Sequence, residues 1–133
     1  MAGFELTAVG RVESSLDDPA TAPKQGDEGS PPAWLIFDSR YADALRDIRP
    51  GDRLLLLTWL DRADRGVLRV HPRDDPNRPL TGVFSTRSPD RPNPIGLHNV
   101  TVLAVDGLRL RVADLEALNG TPILDVKPVL KPS

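Results

Sequence analysis

Arg87, Arg91 and Asn93 fall within one seven-residue stretch of Thr86-Arg87-Ser88-Pro89-Asp90-Arg91-Pro92-Asn93-Pro94. Arginine presents a planar fork of donors that fits carboxylate or phosphate, and asparagine adds both a donor and an acceptor. Three prolines, Pro89, Pro92 and Pro94, stiffen the stretch. Each lacks an N–H and fixes φ, so the segment continues neither a helix nor a sheet ladder. Donors on such a loop have little freedom to lose, which favours binding of a polar or anionic ligand. The same residues also fit a plainer reading, a stiff surface loop with solvated arginines. Just upstream, Gly82-Val83-Phe84-Ser85-Thr86 opens like a strand, with two apolar residues followed by a β-branched one.

Other chemistries find no support in the spacing. The ten glycines never form Gly-x-Gly-x-x-Gly after a strand, so the doubly wound dinucleotide class is excluded, and no P-loop occurs. His71 and His98 lack metal-ligand spacing, and no metal site is expected. Ser14, Ser85 and Ser88 have no nucleophile-elbow context. The absence of cysteine excludes disulfides and thiolate metal sites and suits the cytoplasm. No apolar run approaches a membrane span, and the N-terminus lacks a secretory pattern.

Net charge is −2, which does not advertise nucleic-acid binding. Its distribution is uneven. Residues 1–61 hold 6 Lys/Arg against 11 Asp/Glu, and residues 62–133 hold 11 against 8. Arg62, Arg65, Arg69, Arg73, Arg78, Arg87 and Arg91 cluster early in that second part. Such a patch attracts phosphates while the whole molecule stays acidic. Pairing with Asp64, Asp74 and Asp75 as a solvated surface is the alternative.

The elements that must position these residues are mostly strands. At 133 residues, one domain spanning 1–133 is expected, with a Leu/Val/Ile core because aromatics are only 5%. Phe4 to Val12 alternates as a strand, residues 13–31 read as a loop, and Trp34 to Phe37 is a short strand. Tyr41, Leu45 and Ile48 have helical spacing and predict a helix of about two turns, ended by Pro50-Gly51-Asp52. Leu54 to Leu60 reads as a central strand covered on both faces, with Trp59 as core. Val67, Leu68 and Val70 suggest a strand, and Pro72 to Pro79 a second proline-rich loop. Asp106-Gly107 between Asn99–Val105 and Leu108–Val112 is a strong hairpin signal. Ile123 to Val126 is the last of about eight strands. Strands outnumber helices, so a mainly β barrel or sandwich with one short helix follows.

Thr86-Arg87-Ser88-Pro89 and Arg91-Pro92-Asn93-Pro94-Ile95-Gly96-Leu97 resemble the signature of the TrmO family, also called YaeB-like or TsaA-like. A second family motif reads Asn119-Gly120-Thr121-Pro122-Ile123-Leu124-Asp125-Val126-Lys127-Pro128, with Asn119 where the family usually has Asp. A weaker element is Val9-Gly10-Arg11-Val12 followed by Pro23-Lys24-Gln25-Gly26. The resemblance covers about the whole chain. It implies a single-domain β-barrel that dimerises with itself and lacks the C-terminal domain of longer relatives. It implies S-adenosylmethionine as cofactor and methylation of N6 of threonylcarbamoyladenosine at position 37 of tRNA. The anticodon loop would be the partner.

It also places the site. Gly26, Asp27, Glu28, Asp61, Arg62, Arg87, Leu97 and Ala113, Asp114, Leu115 and Glu116 would border the cofactor. Relatives often have His where this chain has Asp61. Methyl transfer to a weakly nucleophilic, amide-like nitrogen is helped by a base. Asp61 and Asp125 are the candidates, with Arg87 as the third catalytic residue. For Asp125 a structural pairing with Arg91 or Lys127 is equally open. Arg91, Asn93, Lys127, Arg69 and Arg73 would hold the substrate. Two other functions fit the same residues: methylation of a small metabolite, and a non-catalytic module for adenosyl ligands or RNA.

Overall fold

The computed structural model describes residues 3–16 and 31–130. Eight strands lie among the described residues: β1 Gly10–Glu13, β2 Ala33–Phe37, β3 Arg53–Trp59, β4 Arg69–Val70, β5 Thr81–Gly82, β6 Ile95–Asp106, β7 Arg109–Ala113 and β8 Pro122–Pro128. Six of them close into a ring in the order β1-β2-β7-β6-β3-β8, every neighbour antiparallel. β4 and β5 form a separate two-stranded ribbon. Closure leaves no unpaired edge in the main sheet.

Alternation builds the core. In β6, Gly96, His98, Val100 and Val102 point inward while Ile95, Leu97 and Leu103 point out. Val12, Leu35, Leu56, Leu110, Val112 and Ile123 meet them inside and are fully buried. Leu115 and Ala117, on the connection after β7, plug the same interior. The hairpin at Asp106-Gly107 forms as its sequence requires, with Gly107 at φ 59° in the left-handed region.

Several local expectations need correction. The first strand is shorter, because Phe4 and Leu6 are exposed and only Gly10–Glu13 pairs, with β2 along its length and with β8 at Gly10 and Arg11. The helix is a 3-10 segment, Ser39–Leu45, whose Tyr41 departs from helical angles. Three-residue bonds dominate there: Tyr41 N–H donates to Asp38 O, Arg46 N–H to Asp43 O and Ile48 N–H to Leu45 O. Leu45 and Ile48 still pack on the core. β3 is covered on one face, since its burial alternates along its length. Trp59 is half-buried, with the Arg65 guanidinium 5.2 Å from its ring centre. Only Arg69 and Val70 of the next predicted strand pair. Val83–Ser85 is a 3-10 turn rather than strand. No helix of the described residues is long and apolar enough to cross a membrane.

Candidate ligand-binding cleft

The proline loop is held from inside by its own arginine. Arg91 donates from Nε to Ser88 O at 2.8 Å and from Nη2 to Val83 O and Thr86 O, both at 2.6 Å. Its fork thus spends three N–H groups fixing the chain reversal that begins at Val83. The turn after β3 clips onto the same loop. Arg65 donates to Pro92 O at 2.7 Å and to Asn93 Oδ1 at 3.1 Å, and Asp90 Oδ1 accepts from Asp64 N at 2.8 Å. Leu60 N–H donates to Pro94 O at 2.8 Å. Preorganisation therefore comes from hydrogen bonds as well as from proline.

Between these loops lies a cleft of about 360 Å³. Asp61, Arg62, Arg87 and Ser88 stand among its polar lining, and Leu60, Ala117 and Leu118 among its apolar lining. His98 and Glu116 reach it from β6 and from the connection after β7. The two are joined: His98 Nδ1 lies 2.5 Å from Glu116 Oε1, and Nε2 lies 2.8 Å from Thr58 Oγ1. A carboxylate only accepts, so Nδ1 carries the hydrogen, and in the neutral ring Nε2 accepts from the threonine hydroxyl. His98 is 5% exposed, Thr58 fully buried and Glu116 18% exposed. Thr58–His98–Glu116 is thus a polar chain that starts in the core and ends in the cleft.

Gly96 makes room for that chain. A Cβ there would lie 2.4 Å from Thr58 Oγ1 and 2.7 Å from His98 Nε2. Any side chain would force the pair apart.

The expected site residues divide between places. Asp61, Arg62, Arg87 and Glu116 share the cleft. Ala113 and Asp114 precede it; Asp114 takes φ 68°, which turns the chain inward, and Leu115 is fully buried core. Leu97 points outward from β6, 42% exposed. Arg91 and Asn93 are engaged within the loop assembly. Arg69 lies exposed on β4, and Arg73 is a left-handed residue at φ 56° in the turn Pro72–Asp74. Asp125 lines a different cleft, beside Tyr41 and Leu54. It accepts from Val126 N at 2.8 Å and pairs with Lys127 at 3.3 Å, the structural pairing left open from sequence. Gly26, Asp27 and Glu28 lie outside the described residues.

Sequence reasoning passed over His98, Thr58 and Gly96. A signal existed: alternation from Ile95 puts His98 on the face of Val100 and Val102, a polar residue among core positions.

The tRNA-methyltransferase O N-terminal domain family matches residues 11–133. An S-adenosyl-L-methionine-binding protein of Archaeoglobus fulgidus is 40% identical over 122 residues, 92% of this chain and 86% of that protein. A probable S-adenosyl-L-methionine-binding protein of Methanothermobacter thermautotrophicus is 42% identical over 94% of this chain and 89% of its own length. A second, longer Archaeoglobus fulgidus protein, also described as a probable S-adenosyl-L-methionine-binding protein, is 42% identical, and this chain spans 33% of it. The crystal structure of TrmO from Pseudomonas aeruginosa superposes with a TM-score of 0.76 over 97% of this chain and 57% of that one, at 24% identity, a likeness of fold. On the extent of these matches, the chain belongs to the TrmO N-terminal domain family.

Proposed function

We propose that this chain is an S-adenosylmethionine-dependent methyltransferase acting on N6 of threonylcarbamoyladenosine at position 37 of tRNA. The observation that carries this reading is that the family motif's Arg87 and the His98–Glu116 pair line one cleft, in a member of the TrmO N-terminal domain family. The residues fit the cofactor. A volume of about 360 Å³ lies within the range of roughly 300–1,000 Å³ typical of small-molecule sites. Arg62 and Arg87 suit a carboxylate, Asp61 and Glu116 suit cationic centres and ribose hydroxyls, and Leu60, Ala117 and Leu118 suit an adenine ring. Gly26, Asp27 and Glu28 complete the set on the family's pattern.

When bound, S-adenosylmethionine supplies an activated methyl group. The chain's task is then to orient the acceptor nitrogen, exclude water and remove a proton. Arg87, on a loop locked by Arg91, orients the reactants. A carboxylate at Asp61 or Glu116 accepts the proton that leaves N6, with His98 holding Glu116 in place. Asp125 serves as base only if a second subunit brings it to the cleft. Arg69, Arg73, Asn93 and Lys127 contact the RNA.

The protein acts as a cytoplasmic homodimer. Ile95 and Leu97 on the outward stripe of β6, and Leu103 beyond Asn99 and Thr101, each more than 40% exposed, supply apolar contacts for a second copy to cover. Leu97 would meet the cofactor across that boundary. A net charge of −2 favours a second reading, a small-metabolite acceptor.

Calorimetry with S-adenosylmethionine, followed by mass spectrometry of tRNA nucleosides from a strain lacking the protein, tests the proposal. Binding between low micromolar and millimolar, and loss of the methylated nucleoside, are expected. No heat at millimolar ligand sinks the cofactor; unchanged nucleosides sink the tRNA.

A further inference from the structure

A further cleft, of about 500 Å³, adjoins the first, and Asp74, Arg87, Ser88 and Pro89 line both. Phe84 borders it at 85% exposure, although its neighbour Val83 is buried and tied by its carbonyl to Arg91 and to Thr86 Oγ1. A large aromatic ring on a fixed backbone is thus held out in solvent inside a concave site. His71 stands on the same lining, its Nδ1 donating to Arg78 O at 2.8 Å, which fixes the ring. Arg73, Asp74 and Arg87 are also on its lining. Arg73 and Asp74 both take positive φ, at 56° and 57°, a conformation that costs non-glycine residues about 1 kcal/mol or more and collects at functional sites.

From this geometry we infer that the Phe84 cleft is a nucleobase platform for an unpaired nucleotide next to the one that offers its N6 to the cofactor in the first cleft. The inference rests on the tRNA reading above and names how the RNA is gripped. An unstacked base recovers its lost stacking on an aromatic face, and arginines beside it take the neighbouring phosphates. The shared wall spaces the two clefts as adjacent sites, so a flanking base on Phe84 presents its neighbour to Arg87. Loops with splayed bases meet this requirement and regular duplexes do not.

The test uses the full chain and a modified anticodon stem–loop RNA carrying 2-aminopurine beside the target adenosine. Parent protein should quench the probe. Phe84→Ala should abolish quenching and weaken RNA binding by about 5- to 100-fold, as expected for one lost stack. S-adenosylmethionine affinity and thermal midpoint should stay at parent values, and Phe84→Tyr should restore both quenching and binding. RNA binding by Phe84→Ala equal to the parent overturns the inference. So does conversion of Phe84→Ala from dimer to monomer in light scattering, which assigns the ring to a subunit contact. If the parent binds S-adenosylmethionine but not the RNA, the tRNA reading itself has failed, an outcome distinct from a silent Phe84.

Discussion

Two clefts of about 360 Å³ each sit at opposite ends of β3, one beside Leu54 and one beside Leu60. Their volumes do not separate them; their side chains do. Beside Leu54, the walls are Val9, Phe37, Tyr41, Leu45 and Ile48, and of the three acids Asp47, Asp52 and Asp125 the last two are engaged locally. Asp52 accepts from Arg49 N–H at 2.9 Å and Asp125 from Val126 N–H. Beside Leu60, a buried threonine and histidine support a half-open glutamate, and two arginines stand opposite. Burying such groups is unfavourable unless every partner is present, so a satisfied polar chain ending in a cavity marks the functional end. Concavity alone marks neither.

Four variants break or sharpen that contrast. Arg87→Ala should lower kcat/KM about 100-fold, the scale for removing one preorganised donor, while the melting curve stays put. Parent-like turnover would reduce Arg87 to surface charge. Gly96→Ala should destabilise the fold by about 1–3 kcal/mol, as overpacking does, and weaken cofactor binding by displacing His98. Thermal melting and calorimetry read the two effects, and an unchanged protein would mean that the Thr58–His98 contact can yield.

The pair Arg69→Ala with Arg73→Ala should weaken tRNA binding and flatten the log–log salt slope by about one unit, at roughly 0.7 per phosphate on a single strand. Cofactor affinity should not change. A flat salt response in parent and variant alike would favour the metabolite acceptor. The smallest effect is expected of Asp125→Asn, whose exposed carboxylate pairs only at the surface, within about 0.5 kcal/mol in stability and near-parent turnover. A large loss of turnover would show that a second copy carries Asp125 across the subunit boundary.

The hairpin at Gly107 was legible because it is set by neighbours in sequence, whereas the apolar run of β3 hid its alternation and the motif residues 95–98 were not seen as the start of β6. The stiff loop was legible too, but its lock was not. Arg91 looks like a ligand-binding arginine until Val83, Thr86 and Ser88 are seen to turn their carbonyls onto it. Those same bonds curl Val83–Ser85 away from the strand that its composition suggests. Phe4 and Leu6 alternate well yet find no strand to pair with, so local pattern overstated β1. The His98–Glu116 contact bridges 18 residues and the Thr58–His98 contact 40, distances over which no spacing rule operates.

Ring closure carries a kinetic consequence. β8 joins β1 on one side and β3 on the other, with Gly10 opposite Ile123 and Leu56 opposite Val126. The pairings within reach early in synthesis are few, since β2 waits for β7 and β3 for β6. Contacts so distant in sequence make a slow folder, because chain closure precedes the energy that rewards it. On the ribosome, β1 and β3 each keep a bare edge until residues 122–128 emerge, and such edges recruit other chains. The nascent chain is thus most prone to aggregate just before β8 appears, and its yield should track how soon that strand can dock.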